Sequence, residues 1–385
     1  MSKNLSNQST FAEETKTKSA DVSESQEVGN GIASSLAHIR DLTSSLKHQL
    51  QRTLKDIQEI NLQTRLLSFN AQIEATRAGN SGQAFSIVAG EMVRLSERTA
   101  GTARIMGERA SRCITEMAST VDGIGLSIQG TRLSDLALTN IELVDRNLYE
   151  RSCDVRWWAT DSSIVDALTR ADRPVRDNAC KRLRTILDSY TVYYDLVVCD
   201  LKGSVVASGR DPQYHSIGSN QSSSVWFQMA LATKDGSEFG FQSVHREPSL
   251  ADGKFVLVYS CAIRERGDVQ GKKIGVLGIV FNWEGLAQTV VNATQLSSLE
   301  RGQTRVCLVD DQGLMLADTE NQLTVEKLVL PDLAVLFSKS KGYHVADYRG
   351  CPHLIAHALS PGYETYSTGW LSVILQPLAL IERKP

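Results

Sequence analysis

The sequence predicts a multidomain chain: a long antiparallel coiled-coil hairpin of two α-helices, then an α+β domain with two antiparallel-sheet modules. Two compositional facts and one repeat predict it. All eight prolines lie at or beyond Pro174 and all five tryptophans at or beyond Trp157, and only Phe11, Phe69 and Phe85 are aromatic before Tyr149. About 150 residues without proline suit long helices, because proline breaks the helical hydrogen-bond ladder, while the aromatic, proline-punctuated remainder suits sheets and turns. The repeat lies in that remainder. LVVCDLKGSVVAS (196–208) returns as VCLVDDQGLMLAD (306–318), aligning Asp200, Gly203 and Ala207 with Asp310, Gly313 and Ala317. Each copy reads as a strand, an Asp/Gly turn and a second strand.

At 385 residues the chain has room for two or three domains. Residues 1–27 are mostly polar and are expected to be a flexible segment. From Val28, apolar residues step by three and four through Leu36, Ile39, Leu42, Leu46, Leu50 and Leu54, the seam of a coiled coil. After Gly79 and Gly82 the pattern resumes at Phe85, Val88, Met92 and Leu95 and continues to Ile128. Two arms around a glycine-marked turn make a hairpin over 28–130. A two-helix hairpin cannot bury its seam alone, so a homodimer forming a four-helix bundle is expected. Connecting and entry helices follow over 131–189, and the two sheet modules over 190–295 and 296–385. Gly253–Ser260 with Ile274–Trp283, and more weakly Gly350–Leu359 with Gly369–Leu375, read as their strand pairs.

The formal net charge of −3 argues against a nucleic-acid partner. The apolar run Ile274–Phe281 is too short to span a bilayer, and Trp370–Ile381 is broken by Gln376 and Pro377. The N-terminus lacks the order of a secretory signal. Seven scattered cysteines read as reduced thiols, so a cytoplasmic protein without a transmembrane segment is expected, with peripheral attachment at membrane receptor arrays left open. No P-loop, G-x-G-x-x-G, H-E-x-x-H or G-x-S-x-G motif occurs, so neither an enzyme nor a cofactor is expected.

The hairpin turn carries INLQTRLLSFNAQIEATRAG (60–79) followed by QAFSIVAGEMVRLSER (83–98). Ala71, Ala75 and Ala78 allow close helix packing, and Asn70, Glu74 and Arg77 put an amide, a carboxylate and a guanidinium on one stripe. Over some forty residues this resembles the signalling tip of methyl-accepting chemotaxis proteins. The resemblance implies that the tip packs receptor dimers into trimers and docks a chemotaxis histidine kinase with its coupling protein, here through Leu62, Leu66, Asn70, Glu74, Arg77, Ile87 and Glu91. Arg65, Asn80, Gln83 and Ala84 depart from the family pattern. It also implies methylation at Glu13 and Glu14, and at Gln26 and Glu27, because neutralising a carboxylate shifts bundle packing.

The second half is similar to a double Cache sensor, with a long entry helix and two PAS-like modules. That resemblance implies a small-molecule ligand in the first, membrane-distal-type module, with Trp226, Phe227, Tyr259 and Asn282 as site residues. The amino-acid-binding versions have arginine where this chain has Ser224 and aspartate where it has Asn282, so an α-amino acid is not the expected ligand. The whole is expected to be a soluble chemoreceptor that modulates the kinase. Two alternatives stand beside it. One is a receptor-array scaffold that senses nothing. The other is a metal or redox sensor using Cys351, His353 and His357, which fall on alternate positions of one strand; no metal site is assigned.

Overall fold

The computed structural model describes residues 4–378 apart from 171, 324–325 and 332, with side chains described from residue 34 onward. The chain divides into two compact units, between Gln129 and Gly130.

The first unit is a hairpin. Helix α1 spans Asn4–Arg77, a single 3-10 turn spans Gly79–Gly82, and helix α2 spans Gln83–Trp158. Helix α1 therefore includes residues expected to form a flexible polar segment. Glu13, Glu14, Gln26 and Glu27 belong to it, but their side chains lie outside the described residues. The turn needs its glycines. Gly79 has φ +58, and a Cβ at Gly82 would overlap the backbone carbonyl of Ala75. Ala75 and Ala89 are buried between the arms, Gly107 faces Leu54, and Arg40 pairs with Asp122 at 2.6 Å. The two sequence-predicted segments, second arm and entry helix, are one element: α2 continues unbroken to Trp158.

The second unit begins within α2. Helix α3 (Ser162–Thr169) starts at Asp161, whose carboxylate accepts from Ser163 N at 2.9 Å, and α4 (Arg173–Ser189) has Pro174 in its first turn. Then come β1 (Tyr193–Asp200), β2 (Val205–Ser208), α5 (Asp211–Tyr214), α6 (Val225–Ala232), β3 (Gly240–Glu247), α7 (Pro248–Ala251), β4 (Lys254–Arg264) and β5 (Lys273–Asn282). Helices α8 (Trp283–Ala293) and α9 (Ser298–Arg301) lead to β6 (Arg305–Val309), β7 (Met315–Asp318), α10 (Leu333–Phe337), β8 (Lys341–Tyr348), β9 (Cys351–Leu359) and β10 (Leu371–Pro377).

The strands form two antiparallel five-stranded sheets of identical order, β2-β1-β5-β4-β3 and β7-β6-β10-β9-β8. The sequence repeat marks the same hairpin in each. Asp200 Oδ1 accepts from Lys202 N and Ser204 N at 2.8 and 3.0 Å, and Asp310 Oδ1 from Gln312 N and Leu314 N at 2.9 and 2.8 Å. Gly203 and Gly313 take φ +85 and +75 beside them. Aspartate closes the turn and glycine supplies the left-handed residue. The edge strands β3 and β8 were not read from sequence: β3 has no clean alternation of burial, and β8, up to its last residue, alternates only between exposed and half-buried positions, with polar residues on both faces.

Candidate docking surface and sensor core

At the hairpin tip, Leu62, Leu66, Asn70, Glu74, Arg77, Ile87 and Glu91 are all exposed, with Ile87 at 69%. Glu74 pairs with Arg77 at 3.4 Å and Glu91 with Arg94 at 3.2 Å, one turn apart on the open face. These exposed pairs add little stability but set a charge pattern. Ser96 ties the arms by donating to the Asn61 carbonyl at 3.0 Å. The departing residue Arg65 reaches Glu97 at 3.5 Å and lies over the Phe69 ring. Of the three alanines, Ala75 is buried between the arms and Ala78 is exposed.

In the first sheet module, Trp226 and Phe227 are 0% and 2% exposed and belong to one core cluster with Val197, Val256, Val258 and Val280. The Trp226 carbonyl accepts from Ser260 Oγ at 2.6 Å. Its ring lies so close to Gly278 that a Cβ there would stand 2.9 Å from Cζ3. Glycine on β5 thus makes the space that the indole fills. Tyr259 is not with them. Its neighbours Val258 and Ser260 face Trp226, so the pleat turns Tyr259 to the opposite side of the sheet. There its hydroxyl meets the Tyr366 hydroxyl at 2.5 Å and its ring packs on Phe239 and Phe241. Burial raises the Tyr259 phenol well above its usual value. Asn282 lies at the end of β5, where its Oδ1 caps α8 by accepting from Gly285 N at 2.9 Å. Trp226 and Phe227 therefore share one face, whereas Tyr259 and Asn282 have separate structural partners.

Asp195, which sequence reading passed over, is fully buried on β1. It accepts from Leu196 N, Ser208 Oγ, Gly209 N, Arg210 N and Ser216 Oγ. Burial nevertheless pushes its carboxyl up to about 6.

In the second module Arg305 is 4% exposed. Its guanidinium donates to Asp318 at 2.6 and 2.9 Å, to Glu326 at 2.9 Å and to the Tyr348 hydroxyl. Asp318 and Tyr348 are buried beside this cation, Glu326 is partly exposed, and Arg349 binds Glu320 and Glu326 from outside. Asp318, Glu320 and Glu326 are the one group of three potential metal ligands with oxygens within 4.8 Å among the described residues. Arg305 reaches all three acids and so serves as their counterion.

The metal reading of Cys351, His353 and His357 is overturned. All three lie on β9, but Cys351 is exposed, His353 Nδ1 bonds the Cys351 carbonyl at 2.9 Å, and His357 is 2% exposed further along the strand. Alternation places them on one face, yet at about 3.3 Å per residue they are too far apart to share an ion.

Helix α2 is fastened to both modules. Asp145, fully buried, accepts from Ser360 Oγ, Gly362 N and Thr368 Oγ1 at 2.7, 2.9 and 2.9 Å. Asn140 donates to Thr294 at 3.0 Å, and Arg132 pairs with the buried Glu300 at 2.5 Å. Toward its end, Arg151 lies over Tyr193, and Arg156 donates to Ser237 O at 3.2 Å. The modules meet where Trp283 Nε1 donates to Leu316 O at 2.7 Å and Trp283 packs edge-on to Trp370.

This arrangement, a helical signalling hairpin ahead of two sheet modules of one topology, defines a chemoreceptor-type architecture. The chain belongs to the Cache domain family, which it matches over residues 96–384, and residues 9–141 match the methyl-accepting chemotaxis protein signalling domain. It is 34% identical over 111 residues to the biofilm dispersion protein BdlA of Pseudomonas aeruginosa, covering 29% of this chain and 26% of that protein. To the methyl-accepting chemotaxis protein McpG of Pseudomonas putida it is 42% identical over 73 residues, covering 19% and 12%. The chain thus spans about a quarter or less of the length of these relatives. Among solved structures, it superposes on the sensor domain of the Vibrio cholerae histidine kinase DctB with TM-score 0.48 and 12% identity, over 67% of this chain and 98% of that one. On the sensory domain of the Campylobacter jejuni chemoreceptor Tlp3 the TM-score is 0.48 at 16% identity, over 65% and 94%. Among the described residues no helix is long and apolar enough to cross a membrane.

Proposed function

We propose that the protein is a cytoplasmic signal transducer that senses a small molecule through its Cache domain and modulates a chemotaxis histidine kinase through the hairpin tip. The observation that carries this reading is helix α2. One element holds both the tip residues Ile87 and Glu91 and the buried Asp145 that grips the second module. Leu62, Leu66, Asn70, Glu74, Arg77, Ile87 and Glu91 form the surface for the kinase, its coupling protein and neighbouring receptor dimers. The exposed seam residues Leu42, Leu46, Leu95 and Ile124 are apolar area that a second copy would cover, which supports a homodimer. Glu13, Glu14, Gln26 and Glu27 are the proposed methylation sites. Ligand occupancy of the sheet face shared by Trp226 and Phe227 would bias two packings of the bundle. It can do so only to the extent that it binds one of them more tightly.

The test is autophosphorylation of the kinase with coupling protein, with and without this protein. A rate change abolished by the paired Glu74→Ala, Arg77→Ala substitution supports the transducer. A second reading, an array scaffold that senses nothing, is favoured by the filled first module, where Trp226 occupies the space over Gly278. Co-sedimentation with receptors without any kinase effect would select it.

A further inference from the structure

We infer that the second module binds a small carboxylate on the α10 side of its sheet, with the His357 imidazole as the donor at the floor of the site. The inference rests on the sensory reading above only for what binding achieves.

His357 stands on β9, two residues before the strand ends, at 2% exposure, and neither ring nitrogen has a hydrogen-bond partner. A neutral imidazole carries one N–H, and leaving a buried donor unmade carries its full desolvation penalty. Buried polar groups are nearly always paired, so this one is short of an acceptor.

The internal repeat locates it. Cys307 corresponds to Val197; Cys307 pairs with Val373, as Val197 pairs with Gly278. Val373 then pairs with His357 and His357 with Gly342, as Gly278 pairs with Ser260 and Ser260 with Gly240. His357 is therefore the counterpart of Ser260. In the first module the Ser260 hydroxyl is consumed by the Trp226 carbonyl of the covering helix α6. In the second, the covering helix α10 contributes Leu336, with Leu333 and Phe337, all apolar. Nothing there takes up the imidazole. One fold position is thus closed in the first module and left with a free donor in the second.

The neighbourhood selects the ligand. Gly342, beside His357 on the edge strand, contributes no side chain. The charged groups that act on the ring are His344 and Lys339, both cationic when protonated. With burial, they hold the His357 ring down to about 4, so at neutral pH it is an uncharged donor near the Lys339 ammonium. A carboxylate supplies the missing acceptor and the opposite charge, and a short alkyl tail suits the leucines and phenylalanine of α10.

The test is titration calorimetry of the full chain with sodium propionate at pH 6, in two buffers of different ionisation heat. The expected result is binding with net proton uptake, since the carboxylate raises the imidazole's proton affinity. His357→Leu weakens binding by about tenfold or more, equivalent to about 1.4 kcal/mol. His357→Gln, which keeps a donor, binds with intermediate affinity and no proton uptake. The site is overturned if propionate does not bind, if binding brings no proton uptake, or if both His357 variants bind normally. Because the readout is heat of binding, a failed kinase assay overturns the transducer reading alone, and absent propionate binding overturns this site alone.

Discussion

Asp195 and Arg305 occupy the same position in the two modules, 110 residues apart, and each bonds the residue thirteen further on across the strand hairpin. Asp195 accepts from Ser208 at 2.6 Å, and Arg305 donates to Asp318 at 2.6 Å. One backbone framework thus carries a buried anion among neutral donors in one copy and a buried cation among acids in the other. Each ion has compensating partners, which offset the burial of Asp195 only in part, because an ion taken out of water survives only with such partners.

Asp195 makes stability depend on pH with a defined sign. Its folded value of about 6 lies above that of a free aspartate near 3.9, so the fold favours the protonated form. The stabilisation is complete below pH ~4 and is lost as pH rises through about 6, amounting to about 3 kcal/mol. Asp195→Asn removes this dependence. Urea denaturation of the sensor at pH 4.5 and 7.5 should show a flatter profile for the variant.

Arg305→Met leaves Asp318 buried without its cation and is expected to destabilise the sensor by about 3–5 kcal/mol. Adding Asp318→Leu should recover most of the loss, since two apolar groups need no counterion. Denaturant melts of the single and double variants check this.

At the hairpin turn, Gly82→Ala places a methyl group against the Ala75 carbonyl and costs about 1–3 kcal/mol of overpacking strain. Gly79→Ala costs about 1 kcal/mol, from its positive φ alone. Far-ultraviolet dichroism should stay close to the parent for both, while the melting temperature falls further for Gly82→Ala.

Asp145→Ala strands the Ser360 hydroxyl, the Gly362 amide and the Thr368 hydroxyl, at a cost of about 3 kcal/mol. Hydrogen exchange at Gly362 should accelerate, and Asp145→Asn should preserve part of the protection.

The hairpin was legible because helical periodicity and proline avoidance are local signals, readable from Leu36 to Ile128 without knowing what packs against them. The sheet repeat was legible for a similar reason: Asp200 with Gly203 and Asp310 with Gly313 are turn chemistry, settled within five residues. The ligand side was less so. Trp226 and Tyr259 are both buried aromatic residues of one module, and only the strand pairing shows that they face opposite sides of the sheet. Asp145 looked like one more polar residue on a long helix until the loop 360–368 closed over it.

By itself the sequence determined the order of the parts, the glycine turn, the exposed stripe Asn70–Glu74–Arg77 and the duplication of the sheet module, because each depends on spacing along the chain. The tertiary structure alone decided which polar groups were paired. It gave Arg305 its acids, Ser260 its carbonyl and Tyr259 its partner Tyr366, and it buried His357 with neither nitrogen engaged. Those outcomes depend on side chains brought together from distant strands, and burial is what turns a missing partner into a free-energy cost.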